Sequence, residues 1–414
     1  MNEGAGVARL VTFLGTGRYE KVAYELAGKR AEASPYVARA LSELLAPRAI
    51  RVLSTEEAER QHGTGLREAL RSLGGPEPEF VKIPSAAARV EQLTFFEILK
   101  NALRGADGPV VLDITHGFRA QPFLAAAVVA FVRAVDEPPP EIRVLYGAFE
   151  ARDATGVAPV WDLTYLVELL DWTAALRVLL ETGRAEEAAA ATERLGKSLA
   201  KTWAGGGQSG PRPELDRLGK ALRAFGEHLE TLRTGDLLLG GGAKAAPSAV
   251  ALVEGIERAR SDVEAHLPPL SDVLDRMANM VRPLATRPEH LASPGGLEAV
   301  AALARLYARF GRWLEAAATL REGWVNLFAA PEAARPGAEE FDQAAREAAE
   351  ESASAGEVAT NPFRAFADLR NDLLHAQYRP RASARPVDAI RKGLGRFLDE
   401  FEQRIRQRKE GGSR

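Results

Sequence analysis

The chain has 414 residues, enough for two or three domains with cores of their own. Hydrophobic residues make up 46% and charged residues 27%, an ordinary globular balance, and the net charge of −3 excludes bulk attraction for nucleic acid, so RNA contact has to be a local patch. The absence of cysteine excludes disulfides and thiolate metal sites and suits a reducing cytoplasm.

Met1 to Gly6 carries no signal-peptide pattern. Val7 to Leu14 is a mostly apolar run that ends at a glycine, and Arg18 to Leu26 alternates with the period of a half-buried strand. Ser34-Pro35 reads as the N-cap and first-turn proline of a helix reaching Leu45. Strand-like runs follow at Ala49–Leu53, Phe80–Ile83, Val110–Ile114 and Ile142–Phe149. Helical patterns separate them at Thr55–Leu73, Arg89–Leu103 and Arg119–Val135. Within the last, Phe123 to Val132 is too short to span a bilayer and reads as a buried helix. Strands alternating with helices predict a Rossmann-like α/β domain over residues 1–165 with a mostly parallel sheet.

From Asp162 onward the strand signals stop. Helical periodicity covers Leu163–Leu180, Ala185–Trp203, Leu215–Leu232, Ala249–Leu267, Leu297–Leu327 and Asn361–Gln377. Gly/Pro-rich breaks lie at Gly205–Pro213, Gly235–Pro247 and Arg282–Gly296, and the tail from Glu410 reads as frayed. Residues 166–414 are therefore expected to form an all-α domain with Gly/Pro-rich insertions.

Three polar stretches carry the chemistry. Leu14-Gly15-Thr16-Gly17 follows the first strand, but position 20 is Glu20, so the third glycine of a dinucleotide loop is missing. A tight turn and a ligand loop are both open there. Asp113-Ile114-Thr115-His116-Gly117-Phe118-Arg119 puts a carboxylate, a hydroxyl, an imidazole and a guanidinium at another strand end, where such sheets bind ligands. Arg119 would start a helix and pair with a phosphate. Thr115 and the Gly117 backbone would line the site, and Asp113 would orient His116 or Arg119.

The third stretch is Arg370-Asn371-Asp372-Leu373-Leu374-His375, on a helix that Asn361-Pro362 caps. Phe363, Phe366, Leu369, Leu373 and Leu374 form its apolar stripe, with Arg370 inside it, Asn371 and His375 at its edge and Asp372 toward solvent. A guanidinium there needs an anion, either Glu322 in an internal ion pair or a ligand. The ligand reading is RNA cleavage, with Arg370 stabilising charge on phosphorus, His375 orienting the phosphate or moving a proton, and Asn371 holding His375 or the scissile phosphate. Arg370 and His375 lie roughly 140° apart around one helix, an awkward angle unless two copies share a cleft about a twofold axis.

In this order the stretches resemble the CRISPR-associated ribonucleases of type III systems that join a CARF sensor to a HEPN nuclease. Gly15, Thr16, Gly17 and Tyr19 look like the family's first ligand loop, and Asp113, Thr115, His116, Gly117 and Arg119 like its second. Tyr146-Gly147-Ala148-Phe149-Glu150 and Trp161-Asp162-Leu163-Thr164 are similar to its exit from the sensor domain. Arg370, Asn371 and His375 fit the HEPN signature in its shortest spacing. The resemblance implies a cytoplasmic homodimer that binds a cyclic oligoadenylate, with cyclic tetra-adenylate expected. Binding would switch on single-stranded RNA cleavage that leaves 2′,3′-cyclic phosphate ends. No metal, cofactor, membrane or stable protein partner is implied, and none of the six histidines is spaced as a ligand pair. Three alternatives stay open: a non-catalytic nucleotide sensor that binds RNA or a partner, a sensor pocket that degrades its own activator, and a nucleotide-dependent enzyme working through Asp113 and His116.

Overall fold

The computed structural model describes residues 6–85, 88–117, 120–202, 214–240, 246–266, 268–330, 342–355, 361–375 and 385–411. The chain divides into two compact units, Met1–Asp171 and Trp172–Arg414.

The first unit holds one eight-stranded sheet built from β1 (Arg9–Leu14), β2 (Ala23–Leu26), β3 (Lys29–Arg30), β4 (Ile50–Ser54), β5 (Glu79–Lys82), β6 (Val110–Asp113), β7 (Ile142–Gly147) and β8 (Val157–Asp162). Their order is β3-β2-β8-β7-β6-β1-β4-β5, with only β2–β3 and β7–β8 antiparallel. The mostly parallel α/β sheet is thus present. Its central strands are buried on both faces, as helices on both sides require. Leu10, Leu14, Val52 and Val111 pack toward α1 (Val37–Leu45) and α2 (Glu56–Arg71). Val11, Phe13, Leu53 and Leu112 pack toward α3 (Arg89–Leu103) and α4 (Gln121–Val135).

Several expectations need correction. The strand expected from Arg18 begins only at Ala23, because the chain before it folds as a loop closed by Tyr19. Ser34 does not cap a helix that starts at Pro35: its hydroxyl accepts from the Tyr36 N–H, and α1 starts at Val37. Strand β8 escaped the reading since Pro159 breaks its alternation; its polar end pairs with β7 as Leu145↔Asp162. α4 is not buried all round. Val128, Val129 and Val132 face the sheet, whereas Phe123 is 81% exposed and Phe131 42%.

In the second unit the described elements are helical, which matches the expected all-α character. They are the later part of α5 (Thr164–Thr182), α6 (Glu186–Thr202), α7 (Leu215–Glu230), α8 (Thr234–Leu238), α9 (Ser248–His266), α10 (Ser271–Val281), α11 (Pro294–Arg309), α12 (Trp313–Leu327), α13 (Gln343–Ser354), α14 (Pro362–Leu374) and α15 (Val387–Gly411). The single helix expected over Leu297–Leu327 is two, because Gly311 turns the chain at φ +71°, where a side chain would be strained. α8 occupies the start of the expected Gly235–Pro247 break, and α10, α13 and α15 were not anticipated. α15 carries through Glu410, which corrects the frayed tail as far as Gly411. The Gly205–Pro213 stretch lies outside the described residues. Among the described residues no helix is long and apolar enough to cross a membrane.

Candidate functional site

Parallel pairing of β1 with β6 sets Thr12 opposite Asp113. Both are fully buried, and the Thr12 hydroxyl donates to Asp113 Oδ2 at 2.6 Å. Oδ1 of Asp113 accepts the Thr115 N–H at 3.0 Å and the Thr115 hydroxyl at 2.5 Å. The Thr115 oxygen in turn accepts the Gly147 N–H at 2.8 Å, which links the ends of β6 and β7. Among the described residues Asp113 spends its acceptors on Thr12 and Thr115, an orienting task that shapes the loop, while Arg119 lies outside those residues.

Gly15 sits against that loop. A Cβ there would lie 2.7 Å from the His116 carbonyl oxygen, so only glycine lets the two loops touch. Gly17 has no such restriction, its nearest neighbour being the Tyr19 ring at 3.9 Å. The Tyr19 hydroxyl accepts the Gly15 N–H and donates to the Gly15 carbonyl, both at 2.8 Å. Burial pushes this phenol up to about 12, so it stays a donor at neutral pH. The Tyr19 ring lies between His116 at 4.3 Å and His62 at 4.5 Å, with Tyr36 edge-on at 5.6 Å. His116 is held below the usual imidazole range by burial, against the pull of the Asp113 charge and with help from His62. Its Nε2 is buried and has no hydrogen-bond partner. Thr16 is half-buried and Gly17 exposed at the rim of this cluster.

The structure thus brings together Gly15, Thr16, Gly17, Tyr19, Asp113, Thr115, His116 and Gly117. Phe118 and Arg119 lie outside the described residues, and α4 starts at Gln121 instead of Arg119. Sequence reasoning missed Thr12, Tyr36 and His62. A lone hydroxyl inside the apolar run of β1 was the available signal for Thr12. Nothing in the sequence set His62, on α2, beside the loops.

In the second unit, Asn361 caps α14 as expected: its Oδ1 accepts from Phe363 N and Arg364 N at 2.9 and 3.3 Å. Phe363, Phe366 and Leu369 are buried, and Phe366 meets Phe397 of α15 edge-on at 5.4 Å. Arg370 and Asn371 are half-buried and His375, at the C-cap, is exposed. Arg370 Nε is buried with no hydrogen-bond partner. Glu322 is not its counter-ion: that carboxylate takes Arg321 at 2.7 Å and also Arg346. Two further expectations fail. Asp372 faces inward, 4% exposed, because Arg385 supplies a donor there, and Leu374 is left at the surface. Gln377 lies outside the described residues. Among the described residues no three His, Asp or Glu side chains gather as a metal site would need.

Residues 9–147 match the family model for the CARF domain of the CRISPR system endoribonuclease Csx1. Comparison with curated proteins finds no relative. Among solved structures, Enterococcus italicus Csm6 bound to cyclic hexa-2′-fluoro-hexa-dAMP is matched at 10% identity and a TM-score of 0.42, over 97% of this chain and 94% of that one. The family match spans the Gly15–Gly17 and Asp113–Arg119 stretches and reaches the end of β7. The α/β unit is therefore a CARF domain, of the type carried by the CRISPR endoribonuclease Csx1.

Proposed function

We propose that this chain is a cyclic-oligoadenylate-activated, metal-independent single-strand endoribonuclease of type III CRISPR defence. The observation that carries the reading is the state of Arg370. Among the described residues its Nε has no partner although it is removed from water, and an exposed His375 lies five residues on, at the C-cap of the same helix. A guanidinium so placed is stabilised by an anion, and the scissile phosphate is the anion that the neighbouring imidazole can use.

In the proposed reaction the ribose 2′-oxygen attacks its own 3′-phosphorus. The P–O5′ bond breaks, giving a 2′,3′-cyclic phosphate and a 5′-hydroxyl. Arg370 neutralises charge gathering on the phosphoryl oxygens. His375 transfers the proton between the 2′-hydroxyl and the leaving oxygen, and Asn371 orients the phosphate. No step calls for a metal. Two copies sharing the cleft would relieve the wide angle between Arg370 and His375.

The exposed apolar side chains of the CARF unit support a homodimer. Val90 and Leu93 of α3 and Phe123 and Phe131 of α4 stand at the surface, with Phe131 against Phe96 at 5.3 Å. In this reading the activator binds at the Gly15–Gly17 and Thr115–Gly117 loops, with Arg119 as the phosphate partner. Cyclic tetra-adenylate is the ring we favour, its twofold symmetry suiting a dimer. The test compares wild type with Arg370→Ala and His375→Ala on labelled single-stranded RNA plus activator. Each substitution should cost roughly a hundredfold or more in kcat while activator binding holds. Unchanged cutting by His375→Ala would leave a sensor without this catalysis.

A further inference from the structure

Asp372 follows Asn371 on α14, and its buried position needs an explanation, since an ionised carboxylate leaves water only where donors await it. Its Oδ2 accepts the backbone N–H of Arg385 at 3.0 Å, two residues before α15 begins. One turn earlier on α14, Asp368 Oδ2 takes the guanidinium of the same Arg385 at 2.5 Å. Two carboxylates spaced four apart on one helix thus hold residue 385 by main chain and side chain. A little further along, α15 comes close enough that a Cβ at Gly393 would lie 2.4 Å from Leu369 Cδ1. The two helices are therefore tied at both points. The last turn of a helix frays unless something fixes it, because its carbonyls lack intrahelical partners. Here that turn ends in His375, whose N–H closes onto the Asn371 carbonyl at 3.0 Å.

We propose that Asp372 is a positioning residue: by anchoring the final turn of α14 to the start of α15, it sets the geometry of Arg370 and His375. Its catalytic consequence rests on the RNA-cleavage reading above, whereas the anchoring itself does not. Asp372 touches no substrate and moves no proton.

The test uses the full chain and two readouts. In Asp372→Leu, activated RNA cleavage falls about tenfold or more in kcat with KM within about threefold, as expected for lost alignment rather than lost binding. Asp372→Asn keeps an acceptor for the Arg385 N–H and recovers kcat to within about threefold of wild type. Without RNA, amide hydrogen exchange over residues 371–375 quickens about tenfold or more in Asp372→Leu, while α11 and α12 are unchanged. Should that variant fail to fold, Arg385→Pro, which removes the N–H donor, replaces it, with Arg385→Ala as its control. Wild-type exchange in the leucine or proline variant would overturn the proposal whatever happens to RNA. Wild-type protein that never cuts RNA would overturn the nuclease reading and leave the exchange result to decide the anchoring.

Discussion

A methyl group added at Gly15 puts the contact between the two CARF loops under direct strain. The new Cβ would sit 2.7 Å from the His116 carbonyl oxygen and 3.5 Å from the Tyr19 hydroxyl oxygen. The first of these is backbone, anchored through Thr115 and Asp113, so it cannot swing away as a side-chain tip would. Overpacking of this kind costs about 1–3 kcal/mol. If the loops part to relieve it, activator affinity drops by roughly five- to 150-fold, at 1.4 kcal/mol per factor of ten. If they hold, the strain lowers the thermal midpoint of the α/β unit by about 2–4 °C per kcal/mol. Calorimetric titration of Gly15→Ala with cyclic tetra-adenylate, paired with differential scanning calorimetry, reads both. Gly17→Ala is the control for stability alone: its nearest neighbour is 3.9 Å away, and it should melt as wild type. Wild-type affinity and melting in Gly15→Ala would refute the inferred contact between the loops.

Three further outcomes follow from the geometry. Burial depresses the folded-state pKa of His116, so the unfolded chain takes the proton first, and the stability contribution is lost as pH falls below about 6.5. His116→Leu should therefore flatten the acid limb of a melting-point profile between about pH 7 and 5, and an unchanged limb would contradict the buried neutral ring. Phe123→Asp should weaken self-association at least about tenfold in sedimentation, because its ring is 81% exposed within one chain and has little intrachain packing to lose. A mixture of Arg370→Ala and His375→Ala proteins should regain part of the cutting that each lacks, since one shared cleft per hybrid dimer would be whole. No recovery after subunit exchange would place both groups in one copy's own site.

The α/β order was legible because each central strand is a mostly apolar run, with glycine or polar residues where it ends. Strand β8 was not, because its register against β7 is decided by tertiary pairing, and Pro159 and Asp162 disguise it. The helical unit was legible in kind but undercounted. α15 has charged residues at nearly half of its positions, so the buried stripe of Leu394, Phe397, Leu398, Phe401 and Ile405 is diluted. α4 misled in the opposite sense: uniform apolarity suggested full burial, while half of it serves a surface. At the candidate sites, residue types in sequence pointed to Tyr19, Asp113, Thr115 and His116, which do assemble. Asp372 was assigned to solvent by helical angle alone. Its buried Oδ2 meets the Arg385 N–H, thirteen positions along the chain, a pairing that no periodicity reveals.

One assay tests the nuclease most directly: single-stranded RNA incubated with the purified protein in EDTA, with and without cyclic tetra-adenylate, and the product ends identified. Cutting should rise at least about a hundredfold with the activator and leave 2′,3′-cyclic phosphates. Cutting that ignores every cyclic oligoadenylate, or that stops in EDTA, would contradict the proposed function.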